Sequence, residues 1–115
     1  MTDMDKAVEL AKQVKFVILD IHGILTDNTL YYTDEGTKSE CFSLVDRLGC
    51  KALMEGGIGV SFLTSKVSRA MDVVGEIYEV PKELRWGTGA KIAKLDEYQK
   101  ESGLEDQDFC YVGDE

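Results

Sequence analysis

Three apolar runs each stop at a cluster of reactive side chains. "KFVILD" (15–20) ends in Asp20, "IGVSFLT" (58–64) ends in Thr64 and is followed by Ser65 and Lys66, and "DFCYVGDE" (108–115) ends in Gly113, Asp114 and Glu115. Lys91 follows "GTGA" at the start of a helical pattern. Two carboxylates, a hydroxyl and a lysine brought to one edge suit phosphoryl transfer. One acid attacks phosphorus, a metal shared by both acids neutralises charge, and the hydroxyl and ammonium hold the phosphate oxygens. Two places after Asp20 stands His22, the single histidine of the chain. Taken one at a time these residues have other uses: aspartates serve turns, Thr64 can cap a helix, and Lys91 can be a solvated charge. Their order, each at the end of its own apolar run, is what favours the joint reading.

Strands must bring these residues together. Four apolar runs read as buried strands over 15–20, 58–64, 83–86 and 108–114. Helical spacing connects Val67, Ala70, Val74, Ile77 and Tyr78, and a second helix runs through "GAKIAKLDEYQKESG" with Ile92, Leu95 and Tyr98 on one side and Gly103 as its stop. Weaker helical patterns cover "LVDRLGCKALMEGG" and the N-terminal "DKAVELAKQV". Strands alternating with helices imply an α/β domain with a parallel, doubly wound sheet, whose ligands gather at the carboxyl ends of the strands. Between Asp27 and Ser43 the pattern changes. "TLYYT" and "TKSECFS" flank a Gly-containing turn and predict a β-hairpin over about 29–42.

The bulk properties narrow the choice. At 115 residues, 43% of them apolar, the chain is read as one domain, 1–115, with one core and no room for a separate cap. An active site would then be covered by a short insertion or by another subunit. The charge of −9 speaks against nucleic acid as a partner. Cys41, Cys50 and Cys110 form no C-x-x-C pair and read as buried or half-buried thiols in a reducing compartment. The N-terminus is too acidic for a signal peptide and no run reaches membrane-spanning length, so a cytoplasmic protein is expected.

"LDIHGILTD", "FLTSK", "GTGAK" and "YVGDE" resemble the four successive motifs of the haloacid dehalogenase superfamily. "LYYTDEG" and "FSLVDRLG" narrow the resemblance to its minimal-cap members that act on 3-deoxy-D-manno-octulosonate (KDO) 8-phosphate and related nonulosonate phosphates. The resemblance runs from about Val14 to Glu115 and implies a three-layer Rossmann-like domain with a protruding hairpin. It implies a Mg²⁺-dependent phosphatase acting on a small phosphorylated sugar or sugar acid, with Asp20 as nucleophile and Thr64, Ser65 and Lys91 binding the phosphoryl group. Mg²⁺ would be held by the Asp20 carboxylate, the backbone carbonyl of His22 and the Asp114 carboxylate, with Glu115 acting through water. The resemblance also implies a homo-oligomer, a tetramer in which neighbours enclose each site.

Three positions depart from the family pattern. His22 replaces a second aspartate that serves as general acid and then general base, a role an imidazole can fill near neutral pH. Val45 stands where the family carries an arginine for an anionic sugar acid, with Arg47 two residues away. Relatives continue beyond the position of Glu115 through a further acidic residue, a strand and a helix. These departures keep a second reading open, a catalytically impaired module with an assembly or regulatory role. A receiver-like phosphate acceptor is a third, disfavoured by the "DIHG" spacing and the hairpin.

Overall fold

A computed structural model describes residues 2–27, 29–64, 69–87 and 91–113. Along the chain come α1 (Asp3–Ala11), β1 (Phe16–Leu19), β2 (Tyr31–Tyr32), β3 (Lys38–Ser39), α2 (Leu44–Glu55), β4 (Gly59–Thr64), α3 (Arg69–Ile77), β5 (Arg85–Gly87), α4 (Lys91–Ser102) and β6 (Phe109–Val112). Strands β5-β4-β1-β6 form one sheet, in that order, and every pairing in it is parallel. Strands β2 and β3 pair antiparallel as the expected hairpin, with Tyr31 opposite Ser39.

The alternation of side chains along β1 explains the layering. Val17 and Leu19 face one core with Val60 and Phe62 of β4, closed by Cys50, Leu53 and Met54 of α2 and Met71 and Val74 of α3. Phe16 and Ile18 face the other way, with Leu63 and Trp86, against Leu95 and Tyr98 of α4. Because both faces of β1 are covered, its sequence is continuously apolar rather than alternating. This is a three-layer α/β fold, with helices on both faces of a parallel sheet.

Several boundaries differ from the sequence expectation. The third strand is Arg85–Gly87 rather than 83–86, because Pro81 starts a 3-10 turn over Lys82–Leu84 that uses up the first of those residues. A second such turn, Asp106–Asp108, delays β6 to Phe109. Cys41 is exposed, against the expectation of a sheltered thiol, since it lies on the hairpin's return. Cys50 is buried and Cys110 half-buried as expected.

Two arginines hold the far side of the sheet together. Arg85 donates from Nε and Nη2 to the Val80 carbonyl at 3.0 and 2.8 Å and pairs with Glu76 at 3.3 Å, so its guanidinium occupies the C-terminal end of α3. Gly75 makes room for it: a Cβ there would lie 2.0 Å from Arg85 Nε. Arg47 donates to the Ile77 carbonyl at 3.0 Å and ties α2 to α3.

Candidate active site

Strand β1 lies between β4 and β6, and Asp20 is the first residue past its end. Its N–H still donates to the Val112 carbonyl of β6 at 2.9 Å, which carries the ladder one step beyond the strand. On the other side Leu19 pairs with Phe62, so Thr64, the last residue of β4, leaves the sheet beside the chain as it turns after Asp20. Asp20 and Thr64 are both buried, at 6% and 1% exposure. The two polar residues at the ends of adjacent central strands are thus inside the protein, where sequence reasoning places them.

The loop after Asp20 is tightly wound. The Ile21 carbonyl accepts from the N–H groups of Ile24, Leu25 and Thr26 at 3.3, 2.8 and 3.2 Å. The Gly23 N–H donates to Thr26 Oγ1 at 3.2 Å. Gly23 has φ +84°, a left-handed conformation that glycine adopts without steric cost. This geometry turns the chain back at "DIHG" and holds His22 at the apex. Asp20 Oδ1 accepts from the N–H of Ile21 at 2.8 Å, which fixes the carboxylate's orientation.

Among the described residues no lysine or arginine pairs with Asp20. Burial of a carboxylate is costly unless a charge or donor compensates it, and a carboxylate at this position suits a hard divalent cation. Asp20 therefore fits the first ligand of a Mg²⁺ site. Ser65, Asp114 and Glu115 lie outside the described residues, as does the side chain of Lys91. The backbone places Lys91 at the first turn of α4, which follows β5 on the same edge of the sheet. Among the described residues no three metal-ligating side chains cluster.

The hairpin returns to this loop. Phe42 bridges to Thr26, and Glu40 Oε2 lies 3.3 Å from His22 Nδ1. Tyr31 donates its hydroxyl to Asp27 Oδ2 at 3.2 Å, and the charge of Asp27 pushes the phenol's pKa up. Thr26, Asp27, Cys41, Ser43 and Asp46 line a cleft of about 330 Å³ between loop and hairpin base. Glu40 carries no sequence signal that would have singled it out, because its importance comes from an 18-residue excursion through the hairpin.

No protein-family model matches the chain. The 3-deoxy-D-manno-octulosonate 8-phosphate phosphatase of Haemophilus influenzae is 29% identical over 109 residues, covering 90% of this chain and 57% of that protein. The Moraxella catarrhalis enzyme of the same name, solved with magnesium, phosphate and KDO, superposes with TM-score 0.80 at 28% identity, covering 96% of this chain and 63% of that one. A cobalt-bound structure of the Haemophilus influenzae enzyme gives TM-score 0.78 at 28% identity over 91% of this chain and 61% of that one. The chain thus spans little more than half the length of the curated relative.

Proposed function

We propose, for a chain that is haloacid dehalogenase-like and similar to KDO 8-phosphate phosphatases, that it is a phosphatase of a small phosphorylated sugar or sugar acid. The observation that carries the reading is the pair of buried polar residues, Asp20 and Thr64, at the ends of adjacent central strands. In such a reaction Asp20 attacks phosphorus, the ester P–O bond breaks, and the leaving alkoxide takes a proton from His22 to become the alcohol. Water then attacks the aspartyl-phosphate while His22 takes back a proton. The acyl P–O bond breaks, inorganic phosphate leaves and the Asp20 carboxylate is restored.

Thr64 and Ser65 hold the phosphoryl oxygens and Lys91 balances their charge in this reading. The Asp20 carboxylate, the His22 carbonyl and Asp114 would hold Mg²⁺, which lowers the cost of bringing a carboxylate to an anionic phosphate. The Moraxella relative, with its magnesium and phosphate, supports that assignment. Val45 is 74% exposed and offers no charge to a sugar-acid carboxylate, which favours a substrate less anionic than KDO 8-phosphate.

The same reading includes a homo-oligomer, a tetramer, working in the cytoplasm. Leu30, Tyr31 and Tyr32 of the hairpin are exposed, whereas Phe42 packs against the core and does not contribute to the outer face. Among the described residues no helix is long and apolar enough to cross a membrane.

The exposed apolar face also supports a second reading, an impaired module retained for assembly. One experiment separates the two. The purified chain is offered a panel of sugar phosphates and sugar-acid phosphates, with Mg²⁺ and with a chelator. Phosphate release that needs Mg²⁺ is expected. A panel without any release would leave the assembly module.

A further inference from the structure

We propose that Glu40, on the returning arm of the hairpin, is a positioning residue that fixes the orientation of the His22 imidazole. The proposal rests on the phosphatase reading for its catalytic consequence and on geometry for the contact itself. Glu40 Oε2 has no measurable solvent contact and no hydrogen-bond partner, yet it lies 3.3 Å from His22 Nδ1. The approach is a close polar contact that is not a hydrogen bond in this conformation. A desolvated carboxylate oxygen with nothing to accept from is destabilising. His22 is the group placed to relieve that cost.

The surroundings show why this contact orients rather than merely touches. The base of the hairpin is fixed beside the Asp20 loop by the Thr26–Phe42 bridge, so Glu40 approaches from a framed direction. The loop that carries His22 is itself wound around the Ile21 carbonyl. Glu40's side chain is 20% exposed and that of His22 37%, so the carboxylate is the inner partner and the imidazole keeps an open edge. An imidazole held at Nδ1 by a carboxylate presents Nε2 in one direction, the usual way a second residue readies a histidine for proton transfer. Without Glu40 the ring turns freely about its two side-chain torsions. The hairpin would then supply part of the active site from within the same chain.

His22 is the single histidine, so its imidazole resonances can be followed without assignment ambiguity. In the full chain, Glu40→Ala is expected to shift the imidazole nitrogen resonances, and Glu40→Gln, which keeps an acceptor oxygen, to stay closer to the parent spectrum. On a substrate found by the phosphate-release panel, Glu40→Ala should lower kcat about tenfold with KM within twofold, and Glu40→Gln should recover part of the loss. In a His22→Ala background, Glu40→Ala should change kcat no further. Superimposable imidazole spectra for the parent and Glu40→Ala would overturn the proposal. So would an equal kcat loss with and without His22, which would mark Glu40 as structural. If the parent releases no phosphate but Glu40→Ala still moves the imidazole signals, the phosphatase reading falls and the positioning contact stands.

Discussion

The carboxyl edge of the sheet and the hairpin side of the molecule both invert the ordinary distribution of polarity, in opposite directions. At the sheet edge polar groups are inside, as Asp20 and Thr64 are buried. On the hairpin and the first turns of α2 apolar groups are outside: Tyr32, Leu44, Val45 and Leu48 are each at least 60% exposed. A buried carboxylate is retained where its chemistry needs a dry setting, and an exposed apolar surface where another surface covers it. The contrast sets a candidate reaction site at the sheet edge against an exposed apolar surface on the hairpin and α2, with Thr26–Phe42 and His22–Glu40 joining the two.

The strongest way to break the comparison is at Asp20. Asp20→Asn preserves the shape and the acceptor oxygen for the Ile21 N–H but removes the nucleophile. Phosphate release should fall by roughly 10⁴-fold or more, while thermal stability holds or rises because a buried charge has gone. An Asn variant with parental turnover would remove Asp20 from the reaction.

The association side is tested by making its surface polar. Replacing Leu44, Val45 and Leu48 together by Ser should weaken self-association by roughly a hundredfold or more and leave the circular dichroism of the chain unchanged, since these side chains pack little of the core. Light scattering at micromolar concentration reads the outcome. A parent chain that is already monomeric there would leave the exposed face without its proposed partner.

His22 lies at the junction, and its effect should be smaller than that of Asp20. A positioned proton donor contributes roughly 10²- to 10⁴-fold, of which an imidazole near a cation delivers only part. Turnover should therefore drop about tenfold in His22→Ala and rise in His22→Asp, where a carboxylic acid occupies the position. If His22→Asp gains nothing while metal still binds, the deficit lies elsewhere in the site, with Val45 the first position to test.

The apolar runs made the sheet and the Asp20–Thr64 juxtaposition legible, because strands buried on both faces leave continuous apolar stretches that end where the site begins. What stayed hidden depends on partners distant in sequence. Gly75, a helix weakener in the middle of α3, and Arg85, a charge at the start of a strand, look like two local faults until the glycine is seen to admit the guanidinium. Arg47, two residues from Val45, gives no sign in the sequence of its bond to the Ile77 carbonyl. Glu40 belongs to the same class, since a carboxylate on a hairpin reads as solvated until the return path brings it to His22.

The smallest effect distinguishes the two regions by their thiols. Cys50, in the core under α2, has its pKa pushed up to about 11, first by burial and second by the charge of Asp46. Cys41 is exposed beside the hairpin. A maleimide at pH 7.5 should therefore label Cys41 within minutes and leave Cys50 unmodified in the folded chain, because the thiolate is the reacting species. The raised pKa also means that the folded state holds the Cys50 proton more tightly than the unfolded state does. Its contribution to stability is complete below the ordinary thiol value of 9.0 and is lost as pH climbs from there toward 11. Thermal unfolding followed from pH 8 to 11 should show a decline over that window which Cys50→Ala reduces and Cys41→Ala does not. A Cys50 labelled as fast as Cys41 at pH 7.5 would mean that the face of α2 toward the sheet is open, and the contrast between a closed core and an uncovered outer face would be lost.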